Sequence, residues 1–164
     1  MKKSMFLILV LALSVPVFAA DEMKKLDWMV GDWTGEASMQ MGAEKTKTQM
    51  QESIQWKLGG KAILIQGLGK DDKGATVHES LAVISYNDAA KKYEFEAWTA
   101  RYPHADTWFE VGEGTATWGL DTPQGGKVRY TISRTEKGHW HEIGEFSRDG
   151  NQWMKFFDMT LQKK

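Results

Sequence analysis

The chain of 164 residues contains no cysteine, so a disulfide framework, a thiolate metal centre and a cysteine nucleophile are all excluded. Proline is almost as scarce, with only Pro16, Pro103 and Pro123, and residues 17–102 and 124–164 are free to pair as strands without a missing backbone donor. Charge of either sign in excess is also lacking: 21 Lys and Arg stand against 22 Asp and Glu. The lysine pairs Lys45/Lys47, Lys91/Lys92 and Lys163/Lys164 each have acids nearby and read as solvated strand edges and turns. No nucleic-acid partner is therefore expected. A Gly-x-Ser-x-Gly elbow, a phosphate loop and a dinucleotide fingerprint are all missing.

Long apolar runs are confined to the start. "MFLILVLALSVPV" spans about 13 residues, short of the roughly 20 that a membrane-spanning helix needs. Lys2 and Lys3 precede it and "FAAD" follows, the order of a secretory signal: basic, apolar, then small residues at a cleavage point after Ala19. Residues 1–19 are read as a signal peptide and 20–164 as one domain, periplasmic or secreted. No cysteine at the cleavage point offers a lipid anchor. Cleavage would leave a formal charge of −3. The remaining length suits a single core that buries roughly two-thirds of the unfolded surface.

What is present is alternation. "KTKTQMQESIQW", residues 45–56, puts Lys45, Lys47, Gln49, Gln51, Ser53 and Gln55 on one face and Thr46, Thr48, Met50, Glu52, Ile54 and Trp56 on the other. The polar face must be wet, so the other, Glu52 included, looks inward. Runs of the same period recur to the end of the chain, separated by "KDDKG", "NDAAKK", "DTPQGG", "TEKG" and "RDGN". About ten strands result, with no room for crossover helices, so neighbours pair antiparallel. Helical spacing is confined to "DEMKKLDWMV". The expectation is all-β: a single antiparallel up-and-down β-barrel whose short N-terminal helix closes one end. Gly31 lets the chain turn from helix into strand, and the indole of Trp33 can plug the narrow end.

"LDWMVGDWTGE", with Gly31-x-Trp33 at the mouth of the first strand, resembles the opening of the lipocalin-like and nitrobindin-like barrels, and most of all an uncharacterised bacterial family of exported lipocalin-like domains. "LAVISYNDAAKKYEFEAWT", "VRYTISR" and "FDMTLQKK" are similar to its later strands. The resemblance implies a calycin barrel with a ligand in its lumen. In lipocalins an arginine near the end of the chain covers the tryptophan; here the last basic residues are Lys163 and Lys164. Nitrobindin-like barrels hold haem through a last-strand histidine, and "QWMKFFDMTLQK" has none, leaving only Met154 or Met159 as iron ligands. No cofactor is therefore expected.

Eight tryptophans are more than a barrel of this size needs to fill its lumen, which points to a cavity lined by indoles and Met50. Met50, Glu52, Tyr93, Phe95 and Tyr130 are the predicted lining residues. The parity of the second strand supplies the first two, and Lys92, Glu94 and Glu96 leave Tyr93 and Phe95 the inner face of theirs. Glu52, Glu79, Glu142 or Glu145, and Asp158 are inward-prone acids that could bond Arg129, Arg134 or Tyr130, but no catalytic residue is assigned. His139 and His141 would share a strand face with Glu145, and His78 or His104 could join them; the third ligand is not identified, so no metal site is assigned. The leading expectation is an exported, non-catalytic barrel that binds a small, mainly apolar molecule. The alternatives are a haem-binding nitrobindin-like protein or metal-dependent enzyme, and a periplasmic protein-interaction module.

Overall fold

The structure, a computed structural model, describes residues 19–100 and 107–164. The predicted leader, except for its last residue, and His104 lie outside the described residues. Ten strands follow one another: β1 (Gly31–Met41), β2 (Glu44–Lys57), β3 (Ala62–Lys70), β4 (Thr76–Asn87), β5 (Lys92–Thr99), β6 (Thr107–Gly112), β7 (Thr115–Asp121), β8 (Lys127–Arg134), β9 (Trp140–Ser147) and β10 (Met154–Lys163). They form one sheet in the order β5-β4-β3-β2-β1-β10-β9-β8-β7-β6, every hydrogen-bonded pair antiparallel. The sheet curls into the expected up-and-down barrel, nearly closed. Its two edges, β5 and β6, meet at a seam where the Thr107 hydroxyl donates to the Phe95 carbonyl. The Phe109 ring lies 5.2 Å from Phe95 and 5.9 Å from Tyr93 across the same seam.

The turns are set by short polar side chains that mimic backbone acceptors. Asp71 Oδ1 takes the amides of Lys73 and Ala75, Asn87 Oδ1 those of Ala89 and Ala90, and Asp149 Oδ1 those of Asn151 and Gln152.

Helix α1 (Ala19–Lys24) and a 3-10 turn (Asp27–Met29) lie across one end. Met23, Leu26 and Met29 project from them into the barrel and are fully buried. Two strand residues tie this cap down: the Tyr93 hydroxyl donates to the Glu22 carbonyl (2.8 Å), and Trp56 Nε1 donates to Asp27 Oδ1 (3.1 Å). Below it sits Trp33, 2 % exposed, its Nε1 donating to the Met29 carbonyl at 2.7 Å and its ring edge-on to Trp140 at 5.9 Å. Gly31 has φ +137°, and a Cβ there would run into the Lys163 side chain. Only glycine takes that backbone angle without strain. Lys163 Nζ lies 5.4 Å from the centre of the Trp33 ring, so a lysine stands where the sequence resemblance places an arginine.

Candidate functional site

Below the cap the inner wall changes character. Trp33, Glu52, Gly67 and Ser80 lie opposite one another along β1 to β4, all on the inner face, as the period-two rule requires. Glu52 is only 9 % exposed. Its carboxyl occupies the space over Gly67, where any Cβ would meet both Glu52 oxygens and the Ser80 hydroxyl. Glu52 Oε2 is buried without a hydrogen-bond partner. An unpaired buried polar atom costs about 1–3 kcal/mol, and more if it is charged.

A second acid comes from the other side of the barrel. Glu142 on β9 is 7 % exposed, and two indoles hold it: Trp118 Nε1 donates to Oε1 at 3.3 Å and Trp140 Nε1 donates to Oε2 at 3.2 Å. Burial pushes the Glu52 carboxyl up to about 8, with the negative charge of Glu142 adding to the effect. Burial likewise raises Glu142 to about 7, and the two indole hydrogen bonds hold it back. Desolvation, then Glu142, raises the Tyr130 phenol. Among the described residues no ion pair includes Glu52 or Glu142.

Aromatic faces make up much of the remaining wall. Trp118 and Tyr130 stack at 4.3 Å and 11°, while Phe95 packs 5.1 Å from Trp118. Gly144 clears the space that the Tyr130 ring and Phe157 fill. The register of β10 shifts between Lys155 and Phe157, and this bulge lets both Phe156 and Phe157 approach Tyr130 edge-on at 5.7 Å. Such a bulge re-aims side chains without ending the strand. Met50 is buried beside Gly69, where a Cβ would meet its sulfur.

Four of the five predicted lining residues, Met50, Glu52, Phe95 and Tyr130, thus occupy the inner wall below the cap. Tyr93 also faces inward, but its hydroxyl is committed to the cap helix. Of the inward-prone acids, Glu52 and Glu142 point in. Glu79 is exposed, and Glu145 and Asp158 fall on the outer wall: Glu145 alternates with buried Gly144 and Glu142, and Asp158 shares parity with exposed Thr160 and Gln162. Glu145 Oε2 accepts from Arg129 Nε at 2.8 Å, and the Arg129 guanidinium lies 4.0 Å over the Trp153 ring. Asp158 takes Lys155 Nζ at 2.8 Å and lies 3.2 Å from His141 Nε2. Burial works against ionisation of Asp158, but those two partners outweigh it and leave its pKa lowered. His139 belongs to the preceding turn, its amide donating to Thr135 Oγ1. Among the described residues no three His, Cys, Asp or Glu side chains are grouped to hold a metal.

The inner face of β10 offers haem no imidazole. Met159 is buried in the core and Met154, at the far rim, is 61 % exposed. A solvent-open cleft of about 240 Å³ runs along β1 to β3, where outward-facing Asp32, Gln51, Ser53 and Gln66 join Trp33 and Glu52. Sequence reasoning missed Trp118 and Trp140 as partners of Glu142, and Gly67 and Ser80 as neighbours of Glu52. These pairings cross strands, and only the inward glycines left a local signal, as breaks in otherwise apolar runs.

No protein-family model matches the chain, and no curated protein is significantly similar to it in sequence. Among solved structures, the crystal structure of Rv2717c from M. tuberculosis is similar over 87 % of this chain and 96 % of that one, with a TM-score of 0.63 at 9 % identity. At that identity the likeness is one of fold, and with the ten-stranded antiparallel sheet it fits a calycin-like barrel.

Proposed function

We propose that this protein is an exported, non-catalytic barrel of the lipocalin-like kind that takes a small, mainly apolar molecule into its lumen. One observation carries the reading: the Glu52 carboxyl, nine-tenths buried on an inner wall that is largely aromatic and apolar, keeps an oxygen without a partner. Buried polar groups in native proteins are nearly always satisfied. A lumen with an apolar wall and a few converging polar groups is the usual make-up of a small-molecule site. Met50, Phe95 and Tyr130 would face the apolar body of the ligand and Glu52 its polar end. The fold alone carries no function; these residues do.

Native mass spectrometry of the protein purified from the secreted or periplasmic fraction of its source should show a bound small molecule. Trp118 packs against Phe95 and Tyr130, so ligand entry should quench or shift tryptophan emission. Unchanged emission and unchanged melting temperature in the presence of lipid extract, fatty acids and haem would overturn the reading.

A further inference from the structure

We propose that the ligand carries a protonated amine, which Glu52 receives while the Trp118–Tyr130 stack takes the adjoining apolar body. The inference rests on the lumen-binding reading and adds the charge of the ligand. Three observations agree on the sign.

The orphaned atom is a carboxylate oxygen, which can only accept when ionised; an ammonium group brings three donors and the opposite charge. The second buried acid, Glu142, has both oxygens engaged by indole N–H groups, neutral donors that leave its negative charge uncompensated. The walls between are π faces, and these attract cations. Among the described residues neither Glu52 nor Glu142 has a cationic partner in an ion pair. Around Glu52 the facing groups are Trp33 on β1, Gly67 on β3, and Ser80 and, further along the strand, His78 on β4; the charge of Glu142 on β9 reaches Glu52, and it reaches Tyr130 on β8 as well. Lys163, opposite Trp33 on β10, is directed over the Trp33 ring. Burial raises both carboxyls, the response of acids that lack a counter-ion. A neutral alcohol could fill one lone pair but would bring no charge to offset either carboxylate once it ionises. An organic ammonium would give the orphaned oxygen a donor and favour the ionised form of the carboxyl that receives it.

The test uses three probes with one ring and three charges: 1-naphthylmethylamine, 1-naphthalenemethanol and 1-naphthoate. Each is titrated calorimetrically into the mature protein, into Glu52→Gln and into Glu142→Gln, with every variant first shown to melt cooperatively. The amine should bind wild type at least tenfold more tightly than the alcohol, and the carboxylate should not bind. Glu52→Gln should lose at least tenfold in amine affinity while the alcohol is unaffected, and Glu142→Gln should show a smaller loss of the same kind. Equal affinity for amine and alcohol, or an unchanged amine affinity in Glu52→Gln, overturns the cation assignment and leaves lumen binding standing. Failure of the amine to bind also overturns the assignment. Failure of all three probes together with lipid, fatty acid and haem would overturn both readings.

Discussion

The capped end of the barrel and the lumen beneath it are built to opposite rules. At the cap, Met23, Leu26, Met29, Ile54, Ile63, Ile84 and Leu161 are buried around Trp33, and the Trp33 indole finds an acceptor within the cap itself. Of the buried polar atoms there, Trp28 Nε1 is the exception, lacking a partner. A few residues lower, two acids are buried on the inner wall, one without a complete set of hydrogen bonds. The cap contributes stability through close packing; the lumen spends some of it on groups that a folded protein would discard if packing were their only purpose. Strain and unsatisfied polarity of this sort gather where a ligand is handled.

The comparison breaks first at Trp33. Trp33→Ala should cost about 3–5 kcal/mol, the usual price of truncating a buried aromatic, read as a lower urea midpoint. If the midpoint stays while ligand binding disappears, the plug belongs to the lumen and not to the cap.

The next effect has the opposite sign. The Glu52 carboxyl is raised from 4.5 to about 8 in the folded protein, so the folded state holds its proton where the unfolded chain has released it. Stability is then full below pH 4.5 and falls as pH rises through about 8. Glu142 adds a parallel loss up to about pH 7. Glu52→Gln should therefore raise stability at pH 8 and flatten the decline between pH 5 and pH 8. Melting curves across that range check it; a variant that melts lower than wild type at pH 8 would mean that Glu52 supports the fold.

Gly31→Val should cost about 2 kcal/mol, since it forces a β-branched residue to a positive φ and against Lys163. Its loss should appear in the urea midpoint with little change in the affinity of the lumen for a ligand. The smallest effect belongs to Asp32, one residue from the plug but on the outer face, where it accepts a hydrogen bond from Ser53 at 2.8 Å. Asp32→Ala should change stability by no more than about 0.5 kcal/mol, and a larger drop would show that the cap's packing extends through the wall.

Much of this contrast could be read from the chain. The polar-apolar alternation of residues 45–56 places Glu52 inside even though a carboxylate belongs in water, because moving it out would drag Met50, Ile54 and Trp56 with it. Tyr130 follows from the same logic, flanked at two-residue spacing by Val128 and Ile132. The parity of β9 was not legible. "WHEIGEF" puts an apolar residue and an acid on each face, with Trp140, Glu142 and Phe146 on one and Ile143 and Glu145 on the other, so nothing local chooses between the two acids. The choice is made by neighbours: Glu145 meets Arg129 outside, while Glu142 meets Trp118 and Trp140 within. Contacts of that kind depend on pairing between strands remote in sequence, and single-strand periodicity carries no record of them.

The place of the two chain ends has a consequence for how the barrel is made. β1 and β10 pair at the middle of the sheet, with Trp33 opposite Lys163, while the seam falls between the consecutive strands β5 and β6. The molecule is therefore two five-stranded meanders, β1–β5 and β6–β10, each assembled from local hairpins and joined by the most sequence-distant pairing in the protein. Local contacts form early and this one late, so a nascent chain can fold its first meander but cannot dock it until the final strand has left the ribosome. A chain severed between β5 and β6 would keep all nine ladders of the sheet, and its two halves should find each other again through β1 and β10.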